Sequence, residues 1–241
     1  MKKFLKFSAA FTAFISTAGY ALAQDAAAQE TPIHQELKKQ FIDGGPAFMT
    51  TLVLCLVIGL AFCIERIIYL NLASVNTKKL VADVEEALNT GGIEAAKDLC
   101  RNTRGAVASI FYQGLDRYDE GIESVEKSVV SYGSVQMGQM ESNLSWITLF
   151  ISVAPMIGFM GTVLGMIIAF NDIEAAGDIS PTVVAAGMKL CLITTVAGLT
   201  VAIVLQLFYN YILSKVDSIV NSMEDASISL VDILVKYNIK K

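Results

Sequence analysis

Charge is scarce in this sequence. Asp, Glu, Lys and Arg make up 17% of the 241 residues, against about a quarter in an average soluble domain. Acidic residues outnumber basic ones, 23 to 18, and no basic stripe interleaved with aromatics occurs, which argues against a nucleic-acid partner. The single histidine, His34, stands in a short polar segment and reads as a solvated surface residue. The four cysteines, Cys55, Cys63, Cys100 and Cys191, lack the CxxC spacing of a zinc site. Three fall inside apolar runs and one in a charged region, so they read as small buried hydrophobes and not as disulfides or ligands. No nucleophile elbow, phosphate loop or metal constellation is present. The adjacent Glu85 and Glu86 fit a solvated helix face. Neither an enzyme nor a cofactor or metal site is expected.

What the chain does have is apolar residues, 54% of it, gathered into blocks longer than an ordinary core element. Residues 47–70 carry AFMTTLVLCLVIGLAFCIERIIYL, residues 146–170 carry WITLFISVAPMIGFMGTVLGMIIAF, and residues 190–211 carry LCLITTVAGLTVAIVLQLFYNY. Each suffices to cross a bilayer as a helix. An all-α integral membrane protein with three spans follows. Gly44-Gly45-Pro46 punctuates the start of the first span. Glu65 and Arg66 near its end fit an interface where long side chains reach water. Pro155 sits inside the second span, where it is able to bend the helix. Trp146, Tyr209 and Tyr211 lie at span ends, as an aromatic belt would.

The first 23 residues have the layout of a secretory signal peptide: Lys2, Lys3 and Lys6, an apolar run, then Ala21-Leu22-Ala23. An uncleaved signal anchor is the alternative. Either way residues 24–46 begin on the outer side of the membrane. Three crossings then place residues 71–145 and the tail 212–241 in the cytoplasm. The segment 171–189 falls outside, with the acidic loop NDIEAAGDIS. That loop carries Asp172, Glu174 and Asp178 and no basic residue, whereas Lys78, Lys79, Arg101, Arg104, Lys215 and Lys236 lie inside, in keeping with the positive-inside rule. Lys189 is placed near the outer end of span three, paired with the acidic loop; these four residues form a candidate outer entrance.

The inner segment reads as short helices: one ending at Gly91-Gly92, one from Ile93 to before Arg104-Gly105, and one from Ala106 to about Tyr118. A fourth opens near Ile122 with no breaker before span two, so it is expected to run on into the membrane. The periodic tail, with Val216, Ile219, Val220 and Met223, extends span three inward in the same way.

Small residues recur at spacings of three and four inside the last two spans. Ala154, Gly158, Gly161 or Thr162, Gly165 and Ala169 line one helical face. Cys191, Thr195, Gly198 and Ala202 do the same in span three, and Gln206 continues the line. Such stripes let helices approach closely in lipid. Thr162 and Thr195 lie roughly 12 and 9 Å below the outer surface at the helical rise, and Thr194 faces elsewhere by about 100°. A membrane threonine also has the simpler option of bonding its own i−4 carbonyl. No carboxylate lies within the three apolar cores except Glu65 at an edge. A chain that moves protons needs a titratable group in the membrane. This one therefore moves nothing, or a partner brings the acid.

The segments APMIGFMGTVLGMIIAF, from Ala154 to Phe170, and LITTVAGLTVAIVLQLFYN, from Leu192 to Asn210, resemble the ExbB/TolQ/MotA proton-channel family, closest to its ExbB branch. The resemblance implies a ring-shaped homo-oligomer, of five copies by family expectation, with spans two and three around a central pore. It implies as partners an ExbD-like single-span protein carrying a membrane Asp and a TonB-like protein, driven by the proton gradient to power outer-membrane uptake. Thr162 and Thr195 then face the partner's Asp from the pore wall, Pro155 matches the span-two proline, and Gly158, Gly161, Gly165, Gly198 and Ala202 form a narrow packing wall. The resemblance is shared by TolQ-like subunits of the envelope-constriction system, and a non-conducting membrane scaffold predicts the same stripes. One departure is Leu190, where many relatives carry Glu, which removes a channel-wall carboxylate from the expected path.

Overall fold

A computed structural model describes residues 33–177 and 181–240. The expected signal segment and Asp178 lie outside the described residues. Among those described, all regular structure is helical.

Helix α1 (Ile33–Asp43) is short and amphipathic, and a two-residue turn through Gly44 and Gly45 leads to α2 (Pro46–Ala73). Gly45 takes φ 79°, a conformation cheap only for glycine, and Pro46 opens the helix where its missing N–H costs nothing. Helix α3 (Thr77–Asn102) starts at Asn76, whose side chain accepts from the Lys79 N–H. At Gly92 it breaks, φ 73° and ψ −162°, so the two helices expected around Gly91-Gly92 meet end to end across a kink. Helix α4 (Ala106–Asp116) and a 3-10 turn (Tyr118–Glu120) lead to α5 (Ile122–Glu141), α6 (Leu144–Ala176) and α7 (Pro181–Lys240). The last has 60 residues, about 90 Å at the helical rise.

Among the described residues, three helical stretches are long and apolar enough to cross a membrane. In their most apolar windows only 22%, 28% and 28% of residues are buried within the chain. Most of that apolar surface must be covered from outside, by lipid or by other chains.

The architecture has two zones. In the apolar zone α6 and α7 form a long antiparallel pair with α2 laid against both. Beyond it α3, α4 and α5 pack around the distal part of α7. There Val84, Ile110, Phe111, Val125, Leu230 and Leu234 form a fully buried core, and Lys97 of α3 pairs with Asp116 of α4 at 3.0 Å. All four cysteines are free and buried. Burial pushes the Cys100 thiol up to about 12. At pH 7.5 it should react with a water-soluble maleimide on the order of a thousandfold more slowly than an exposed thiol and label freely only after denaturation. Fast labelling of the folded chain would show that this core opens.

Two expectations need correction. The helix opening at Ile122 does not run unbroken into span two. It stops at Glu141, and Asn143 adopts the left-handed conformation, φ 64° and ψ −4°. Asn has no proline- or glycine-like signature but tolerates this region better than most residues. The helix of span two also continues past residue 170 to Ala176, where Gly177 (φ 69°) caps it by donating to the Ile173 carbonyl. Asp172 and Glu174 are therefore exposed on a last helical turn, not in an open loop.

Candidate functional site

The contact between α6 and α7 is built from small residues in antiparallel register. Van der Waals space at Gly187 is taken by Ala169, at Gly165 by Leu190 and Cys191, at Gly161 by Thr194, and at Gly158 and Gly198 by each other's backbone. A Cβ on Gly158 would stand 2.9 Å from the Thr194 carbonyl oxygen, and one on Gly198 would stand 2.7 Å from that of Ala154. Only glycine allows backbones to meet this closely in the absence of a hydrophobic drive between helices. Ala154, Gly158, Gly161, Gly165 and Ala169 are all buried in this seam, as are Cys191, Gly198 and Ala202. Their place is thus the packing of one chain's own helices.

The threonines divide differently from the expected pattern. Thr194, expected to face elsewhere, is fully buried against Gly161. Its spacing shows why: positions 187, 191, 194 and 198 repeat every three to four residues, so the seam passes through 194 and Thr195 stands about 100° to one side. Thr195 and Thr162 are half-buried, at the margin of the seam. The register puts Thr162 level with about Ile193, so the two hydroxyls differ in depth by roughly 3 Å.

Helix α2 covers the opposite flank. Phe62 stacks on Trp146 and Phe150 of α6 at ring separations of 6.2 and 6.4 Å, Gly59 lies against Leu205, and Gly44 against Ile193. Thr162 is rotated by about 120° from Phe150 and about 160° from Trp146, and Thr195 by about 160° from Ile193. Both hydroxyls therefore lie on the side of the α6–α7 pair that α2 leaves open. Pro155, about 20° from Thr162, is on the same side and half-buried.

The hydrogen bonds define what these hydroxyls can do. Thr162 donates to the Phe159 carbonyl at 2.6 Å, and Thr195 to that of Cys191 at 3.0 Å. Thr194 donates to the carbonyls of Leu190 and Cys191. With the one proton of each hydroxyl spent on its own helix, the oxygen is left as an acceptor. Such an oxygen suits a protonated carboxylic acid, or a water or hydronium that donates to it. It does not suit a carboxylate, which itself only accepts.

Lys189 lies at the α1 end of α7, and its partner is Asp43 of α1 at 2.5 Å. This clasp joins two helices through residues 146 positions apart in sequence, and among the described residues neither Asp172 nor Glu174 pairs with Lys189. Sequence reading also missed the far side of α2. Arg66, expected at a wet interface, is only 6% exposed. Its guanidinium forks onto Glu65 at 2.7 and 2.5 Å, donates to the Gln139 carbonyl at 3.0 Å and lies 4.8 Å over the Tyr69 ring. Its fork onto the adjacent Glu65 is local, but its burial comes with Gln139, 73 positions away, and no local spacing marks that contact.

A profile of the MotA/TolQ/ExbB proton channel family matches residues 102–225 of this chain, from the end of α3 through α6 and into α7. The chain is 31% identical over 168 residues to the putative biopolymer transport protein ExbB homolog of Methanothermobacter thermautotrophicus, covering 69% of this chain and 59% of that protein. It is 41% identical over 69 residues to biopolymer transport protein exbB1 of Vibrio cholerae, 28% of this chain and 30% of that protein. It is 36% identical over 78 residues to biopolymer transport protein ExbB of Helicobacter pylori, 32% and 54% of the two chains. The matched part thus spans less than two thirds of each relative's own length.

Proposed function

The chain belongs to the MotA/TolQ/ExbB proton channel family, and from that premise we propose that it is the channel-wall subunit of an ExbB-type energy-transducing complex in an inner membrane. Copies form a ring, of five by family expectation, with the threonine-bearing side of α6 and α7 turned to a central path. An ExbD-like single-span partner supplies a membrane Asp there, and a TonB-like protein carries the work to outer-membrane uptake. The N-terminus is periplasmic, and the long polar extension of α7 with helices α3 to α5 is cytoplasmic.

One observation carries this reading. The open side of the α6–α7 pair presents two hydroxyl oxygens at nearly equal depth, both restricted to accepting, while the apolar spans hold no carboxylate of their own to titrate except Glu65 at the edge of the first. The naming of the relatives as ExbB proteins supports the ExbB branch.

The test is proton flux in membrane vesicles holding the chain with its co-expressed single-span partner. Removing both acceptors by Thr162→Val with Thr195→Val should cost roughly 2 kcal/mol, two neutral hydrogen bonds, and so slow flux by more than about tenfold. Thr162→Ser with Thr195→Ser keeps the acceptors and should retain most of it. Wild-type flux in the double valine variant would remove the hydroxyls from the path.

A further inference from the structure

Below the threonines, toward the long extension of α7, two amides share the same flank. The Gln206 Nε2 donates to the Asn210 Oδ1 at 3.1 Å, and both side chains are exposed. Gln206 lies eleven residues after Thr195, three turns and about 20° away on the helix, and Asn210 about 60° away. Their neighbours Ile203 and Leu207, rotated toward the outside, are large, apolar and about half exposed. The chain therefore sets lipid-type and amide-type surface side by side at one depth.

The single bond leaves most of both amides open. Gln206 keeps one N–H and its carbonyl, and Asn210 keeps both N–H groups, with no other partner for them among the described residues. Open amides facing hydrocarbon lose the hydrogen bonds that water would give them, and that cost vanishes where water reaches them. We propose that Gln206 and Asn210 hold water at the inner mouth of the path, so that an ion leaving the threonine level enters a hydrated site bounded by these amides. An amide cannot titrate in this range, but it donates and accepts at once. It orients water in both senses, which the acceptor-only hydroxyls above it do not.

The proposal rests on the reading that this flank lines an ion path, and its test is independent of flux. Gln206→Cys and Leu207→Cys are introduced singly into the full chain, co-expressed with its partner and kept in native membranes. A membrane-impermeant maleimide is then applied from the extension side. The four native cysteines are buried and serve as a silent background. Because maleimide reacts with a thiolate, which needs water, Cys at 206 should label at least about tenfold faster than Cys at 207. Asn210→Cys provides the same comparison should the first variant fail to accumulate. Equal rates at 206 and 207, or no labelling at 206 and 210, would overturn the hydrated mouth. If 206 labels fast while the double valine variant conducts normally, the water site stands and the threonine role fails.

Discussion

Gly158→Val should leave the chain membrane-bound but abolish partner-dependent flux. The atoms nearest an added Cβ at Gly158 are backbone: the Thr194 carbonyl oxygen at 2.9 Å, then the Cα atoms of Gly198 and Thr195, both at 3.4 Å. None can rotate away, so α6 and α7 must separate. Gly198 faces the same limit, with the Ala154 carbonyl oxygen at 2.7 Å and the Gly158 Cα at 3.2 Å. Gly165 looks worse by distance, since a Cβ there would lie 2.6 Å from Leu190 Cδ2. That atom is the end of a flexible side chain at a half-buried position, and the next, the Sγ of buried Cys191 at 2.9 Å, also belongs to a side chain; the nearest backbone atom is 3.7 Å away. Alanine at 158 or 198 should therefore cost about 1–3 kcal/mol, as overpacking does, and alanine at 165 clearly less. Valine at 158 adds two further methyl groups against the same backbone. Flux is lost because Thr195 rides on the backbone that is displaced. Thermal unfolding in detergent gives the ranking, and flux in vesicles gives the consequence. Equal damage from Gly165→Ala and Gly158→Ala would mean that the seam yields as a whole, and the distinction between backbone and side-chain contacts would fail.

That seam was legible in the sequence because its signal is chain-local. A repeat of small residues at three and four is visible without any partner, and so are apolar blocks long enough to span a bilayer. The choice between Thr194 and Thr195 was also encoded. Counting from Gly187 and Cys191 as well as from Gly198 selects 194, whereas a stripe drawn from Cys191 alone admits either. The break at Ser142–Asn143 was not legible, because neither residue forbids a helix and the conformation is held by tertiary contact. The Asn143 amide reaches the Glu65 carboxylate at 3.4 Å, across 78 positions of sequence. The clasp of Lys189 on Asp43 is of the same kind. A charge announces that it wants a partner, but only the fold says which.

The second large effect should come from Glu65, and its size follows from unequal burial within one ion pair. The Arg66 side chain is 7% exposed and that of Glu65 46%. Glu65→Leu would leave a buried guanidinium with only the Gln139 carbonyl and the Tyr69 ring for company, a loss of about 3–5 kcal/mol. For a chain of this size that is roughly 6–20 °C of melting temperature by the scaling of soluble domains. Arg66→Leu should cost less. Glu65 can turn to water, and the main loss is the bond to Gln139, an end-of-helix carbonyl in α5 with no intrahelical donor, worth about 1–3 kcal/mol. Arg66→Lys keeps the charge but cannot fork onto Glu65 and reach Gln139 together, so it should fall between wild type and Arg66→Leu. Joining Glu65→Leu with Arg66→Leu should recover part of the Glu65→Leu loss, since no buried charge remains. The same pair joins α2 to the end of α5 through Gln139 and to the break before α6 through Asn143. Both Glu65 variants should therefore also increase hydrogen exchange at residues 139–146 more than in the α6–α7 seam. A double variant less stable than Glu65→Leu alone would show that Arg66 is not held there as a buried charge, and uniform exchange along α6 would show that the pair does not secure the break.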